Sequence, residues 1–308
     1  MHKLLKKLLV PVAAIAALAV LAGCAGTASG LPKDPSQLTD QNVRDIVTHA
    51  VDNMLGASSF TGTYVSTESY AVTGNRSTLM PSVSSMNATI LADRTSGRAH
   101  AVLGVAMTPA DSSTATPQMQ FNVDTYLYAD NLYVNVKTVS GLPWFKVPVS
   151  SAILSVFSPQ LFDNEVKMFG LPASVTYLRS ETLDGTACYV IDVVPNTDQL
   201  LAMAERLQPQ GTSANWTKLT DISQVYQDVK YTAWIAADSL RFLKVQSHAV
   251  ADFGPDSPFG KDLSGVTITT DGTLRFTDYN TNVVINLPEA ARQAQAVSPT
   301  QLPDFHQP

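Results

Sequence analysis

The sequence predicts an α+β fold, an antiparallel β-sheet with helices laid against it, and three observations carry that expectation. Val43, Ile46, Val47, Ala50, Val51, Met54 and Leu55 recur at helical spacing, so one apolar stripe needs a surface to cover. The stretches that follow are rich in Thr, Val, Tyr and small residues, with turn clusters between them. In Met119-Gln120-Phe121-Asn122-Val123-Asp124 the alternation is strict, as in a sheet with one apolar and one solvated face. A composition of 45% hydrophobic and 15% charged residues supplies enough apolar surface for such a core.

Taken in order, the chain opens with basic Lys3, Lys6 and Lys7, then an apolar run from Leu8 to Ala22. That run is shorter than the roughly 20 residues of a permanent membrane helix and ends in small residues, as a secretory signal does. Leu21-Ala22-Gly23-Cys24 resembles the lipobox of bacterial lipoproteins. The resemblance implies that residues 1–23 are a cleaved signal peptide and that Cys24 is lipidated and becomes the new N-terminus. Two acyl chains hold a protein at a membrane because each buried methylene contributes about 0.8 kcal/mol, whereas one chain holds it only marginally. Residues 24–38, rich in Gly, Ser, Thr and Pro, form a flexible tether.

Thr39 is placed to cap the helix that ends near Gly56. Strands are expected over Phe60–Tyr70, Val83–Ala92, Arg98–Met107, Met119–Tyr128 and Leu132–Val136. Val175–Arg179 and Ala187–Val194 form a hairpin turning at Asp184-Gly185, and Lys230–Ile235 and Arg241–Ala251 another around Asp238. Two helical inserts interrupt the strands. One carries Ile153, Leu154, Phe157, Leu161 and Phe162, broken at Pro159; the other opens at Asn196 and carries Leu200, Met203 and Leu207. Residues 39–290 are read as a single domain, and the Gln- and Pro-rich residues 291–308 as a disordered tail.

Cleavage removes three lysines, leaving 17 basic against 26 acidic residues and a net charge of −9, which argues against nucleic acid as a partner. With Cys24 lipidated, Cys188 is the only other cysteine; it sits in a strand pattern and reads as a packed, inert thiol. His49, His100, His248 and His306 show no metal-ligand spacing, and no nucleophile elbow, phosphate loop or dinucleotide fingerprint occurs. Asp130, Asp184, Asp238 and Asp271 are read as turn residues. The expectation is a protein that is not an enzyme and uses no cofactor or metal.

Three segments carry a family resemblance: Tyr126 to Asn135 with Trp144-Phe145-Lys146-Val147 after it, Ala233 to Leu240, and Leu274 to Asn280 running on to Val284-Ile285-Asn286-Leu287-Pro288. In their order they resemble the LolA-like envelope lipoproteins, in particular the LppX and LprG type. The resemblance implies a strongly curved antiparallel β-sheet, a half-barrel, with helices packed in its concavity and an apolar cavity between them. It implies a lipid or acylated ligand, membrane attachment through the Cys24 lipid, and a monomer in the cell envelope. The lining is expected from inward strand positions Met86, Ile90, Leu103, Val105, Phe121, Val123, Tyr189, Ile191 and Trp234, with Leu154, Phe157 and Met203 from the helices. Methionines spread over these elements suit an irregular guest. The alternative is an envelope protein with a filled core that carries nothing and acts as a sensor or assembly factor.

Overall fold

The computed structural model describes residues 35–73, 81–109, 119–137, 144–148, 172–196, 225–253 and 265–296. After a short 3-10 turn at Pro35–Gln37, helix α1 spans Asp40–Gly56. It begins where the sequence predicts, because Thr39 and Asn42 form a capping box in which each side chain bonds the other's backbone N–H. Its other end is fixed by tertiary contacts. Arg94 donates from its guanidinium to Leu55 O at 2.7 Å, and buried Asn53 donates from Nδ2 to Ser239 O and Leu240 O at 3.0 and 3.1 Å. These bonds satisfy carbonyls that would otherwise be left unpaired.

Eleven strands follow: β1 Ser59–Val72, β2 Pro81–Asp93, β3 Arg98–Pro109, β4 Met119–Tyr128, β5 Asn131–Val136, β6 Phe145–Pro148, β7 Ser174–Leu183, β8 Thr186–Val194, β9 Tyr226–Ala236, β10 Phe242–Phe253 and β11 Val266–Thr277. A one-turn helix α2 at Glu289–Arg292 and a short strand β12 at Gln295–Ala296 complete the described chain. All strands belong to one open, curved sheet ordered β12-β6-β5-β4-β3-β2-β1-β11-β10-β9-β8-β7. Pairing is antiparallel except between β12 and β6.

The strands read from the sequence correspond to β1 to β5 in one half of the sheet and β7 to β10 in the other; β6 and β11 are not among them. What joins the halves is the pairing of β1 with β11 along the whole strand, from Thr61 opposite Thr277 to Val72 opposite Val266. The turns obey their residues. Ala129-Asp130 and Asp184-Gly185 take positive φ at both central positions, matching the twist of two-residue hairpins. Leu240 also has a positive φ of 46°, yet its side chain is fully buried in the core, and that burial offsets the backbone cost.

Two expectations are corrected. The disordered tail was expected from residue 291, but Ala291 is fully buried and β12 pairs with β6, so ordered chain continues to Ala296. Asp271 is not a turn residue; it lies within β11, paired with Thr67 and His248, where its side chain meets His248 Nδ1 at 2.7 Å. The helical inserts expected around 153–169 and 196–207 lie outside the described residues.

Candidate ligand-binding face

Strand alternation divides the sheet into two chemically distinct faces. On one, Phe60, Tyr64, Met86, Ala88, Ile90, Leu103, Val105, Tyr189, Ile191, Ala233, Ile235, Leu274 and Phe276 merge into a single cluster with the stripe Val43, Ile46, Val47, Ala50, Val51 and Met54 of α1. The helix therefore packs on this apolar face. It covers the face unevenly. Near α1, Phe60, Ile90, Ile191 and Ile235 are fully buried. Along β4 to β6, Phe121, Val123, Leu127, Leu132, Val134, Val136 and Phe145 point the same way by register but remain half-buried. Hydrocarbon-like side chains left partly open in a row form a surface with capacity to take an apolar guest.

Eight of the strand positions named from the sequence share the apolar face. Met86, Ile90, Leu103, Val105, Tyr189 and Ile191 are buried members of the main cluster, and Phe121 and Val123 pack against its edge. Leu154, Phe157, Met203 and the lipidation residue Cys24 lie outside the described residues. Trp234 is a correction. It pairs with Val190 in β8, while its neighbours Ala233 and Ile235 pair with Ile191 and Tyr189, so Trp234 points to the opposite face. There it packs with Cys188 and Val190, donates from Nε1 to Glu181 Oε1, and lies under Lys244 Nζ at 3.9 Å from the ring centre. The hydrogen bonds from Trp234 and Arg179 hold the Glu181 carboxyl below its ordinary value.

Cys188 is buried beside this tryptophan with its thiol directed to Thr186 O at 3.3 Å, and burial pushes the thiol up and away from the reactive thiolate. Elsewhere the polar face carries ion pairs. Asp192 accepts from Lys230 at 2.6 Å and Thr232 at 2.7 Å, and an open depression of about 620 Å³ over β1, β9, β10 and β11 is lined by Lys230, His248 and Asp271. Buried Asp124 is held by His100 Nε2 at 2.8 Å and Lys137 Nζ at 2.9 Å. Burial alone would raise the Asp124 carboxyl, but the hydrogen bonds and charges of His100 and Lys137 together outweigh it and lower the value.

Tyr126, stacked on His100 with ring centres 4.1 Å apart, begins a second cluster with Tyr133. The C-terminal chain covers it with Ile285, Leu287 and Ala291, forming a strap across the polar face. Sequence reading missed this cluster. Among the described residues, no group of three His, Cys, Asp or Glu side chains is arranged to hold a metal ion, and no helix is long and apolar enough to cross a membrane.

No family model matches the chain, and no curated protein matches its sequence. Solved structures resemble its fold at low identity. LprF from Mycobacterium bovis is 14% identical over 80% of this chain and 97% of that one, with a TM-score of 0.45. The lipoprotein LppX from Mycobacterium tuberculosis is 16% identical over 80% of this chain and all of that one, at 0.39. An outer membrane lipoprotein-sorting protein domain from Vibrio parahaemolyticus is 12% identical over 80% and 95% of the two chains, at 0.23.

Proposed function

We propose that the chain is a lipid-anchored protein of the cell envelope that binds a lipid or other hydrophobic ligand against the apolar face of its sheet. The observation that carries this reading is the half-buried apolar row from Phe121 to Phe145, continuous with the closed core under α1. In this reading the apolar face is the concave side, Leu154, Phe157 and Met203, which lie outside the described residues, are further candidates for contact with the ligand, and Cys24 carries the anchor. The role is binding, without catalysis and by a monomer. An acyl chain burying ten methylenes would gain about 8 kcal/mol before ordering costs, so no charged contact is needed for useful affinity.

The test is chemical. The chain from Cys24 onward, with Cys24→Ser to keep it in solution, is purified from several hosts and extracted with organic solvent, and the extract is weighed by mass spectrometry. The reading expects near-stoichiometric acyl-bearing species. Extracts without any from every host contradict it.

A further inference from the structure

The apolar face changes character along β1. Tyr64 belongs to the main cluster, and Tyr70 packs against a second one built on Ala251, Phe253 and Val266. Six residues apart, the two tyrosines are separated by about 20 Å at the usual strand rise. A polar band fills the interval. On β1 it holds Ser66 and Glu68; Ser84 of β2 and Thr270 of β11 flank Glu68 on either side. Gly272, opposite Ser66, leaves room that Tyr64 Oη and Ser247 Oγ occupy, since a Cβ there would stand 2.8 and 2.6 Å from them.

Glu68 is the exception on this face. By register, the other carboxylates and cations of the described strands, from Asp93 and Arg98 to Asp271 and Arg275, fall on the polar face. Removing a carboxylate from water costs free energy unless donors surround it. Glu68 has one: Tyr70 Oη donates to Oε2, and Oε1 has no hydrogen-bond partner among the described residues. Burial, and then the Glu68 charge, push the Tyr70 hydroxyl far above its ordinary value, so Tyr70 stays a donor. Tyr226 is raised by the same two causes in the same order.

A negative charge with a spare acceptor oxygen, set between two hydrocarbon-like patches, is complementary to an amphiphile of one kind. We infer that this band selects ligands whose polar group donates hydrogen bonds and carries no negative charge, an ammonium or an alcohol, and rejects carboxylate and phosphate. The inference rests on the apolar face being the ligand site. A carboxylate or phosphate brought beside the half-buried Glu68 meets a like charge, whereas an ammonium gains a charge-assisted hydrogen bond.

The experiment compares hexadecylamine, hexadecanol and hexadecanoate binding to the full mature chain carrying Cys24→Ser, by calorimetry at neutral pH. The amine and the alcohol are expected to bind at least about tenfold more tightly than the acid, a gap of about 1.4 kcal/mol. Glu68→Gln should bring hexadecanoate to the affinity of hexadecanol while leaving hexadecanol unchanged. Tyr70→Phe, which frees the second carboxylate oxygen, should strengthen amine binding and serves if Glu68→Gln does not fold. Equal affinities for the three probes, or the same order after Glu68→Gln, overturn the selection and leave the ligand site standing. Binding of none of them overturns the ligand site, and the selection with it.

Discussion

Asp124 shows how much one side chain can carry on the solvated side of a sheet. It is 10% exposed, yet both oxygens are engaged, by His100 and by Lys137. Because its folded value lies below the unfolded one, the group stabilises the protein at pH above the ordinary aspartate value of 3.8, and that contribution fades as pH falls through the folded value. Asp124→Asn is therefore expected to cost about 1 to 3 kcal/mol in urea unfolding at neutral pH. The gap between wild type and variant should narrow in acid; a gap that widens there contradicts the assignment. Trp234 teaches the complementary lesson. A large aromatic in an apolar run reads as core, and Ala233 to Ala236 are indeed all buried. Burial on both faces of β9 hides the alternation that would have placed the indole, and only the rungs to Val190 and Lys244 reveal its side. Met86 and Ile90 on β2 fall on the apolar face as read, because the alternate positions of that strand are solvated.

At the scale of elements, local signals were legible wherever chemistry is local. The start of α1, the Asp184-Gly185 turn and the bounds of β4 all follow from neighbouring residues. Thr39→Ala should lower stability by about 1 kcal/mol, read as a shift in the urea midpoint with unchanged slope. The strap was not legible. Ile285 and Leu287 belong to the short apolar run Val283-Val284-Ile285-Asn286-Leu287, and their partners Tyr126 and Tyr133 lie some 150 residues earlier. Val283, Ile285 and Leu287 alternate as in a strand, but alternation does not name a distant partner, and only the sheet gives the segment a place to pack. Leu287→Ala is expected to cost about 2 to 4 kcal/mol, because the side chain is buried in the cluster. A cost within a few tenths would show the strap to be only loosely held. The β1–β11 pairing escaped for a similar reason: strand propensity names a strand but not a distant partner.

For the whole molecule, the division of labour follows from placing different chemistry on the two faces. The polar face is stabilised by ion pairs, a cation–aromatic contact and the strap, which leaves the apolar face free to depart from a fully closed core along β4 to β6. The proposed attachment through Cys24 is separate from both. Cys24→Ser should move the protein from the membrane fraction to the soluble one without changing its melting temperature, and an unchanged membrane fraction contradicts the anchor. Tryptophan fluorescence resolves the two faces of the sheet with one probe. Phe121→Trp, in a chain whose native tryptophans are replaced by Phe, puts the emitter on the apolar face; a second chain keeps only Trp234. Titrated with a lipid brominated along its acyl chain, the first should be strongly quenched and the second nearly unaffected. Quenching of Trp234 with none from Phe121→Trp, or equal quenching of both, would contradict binding at the apolar face.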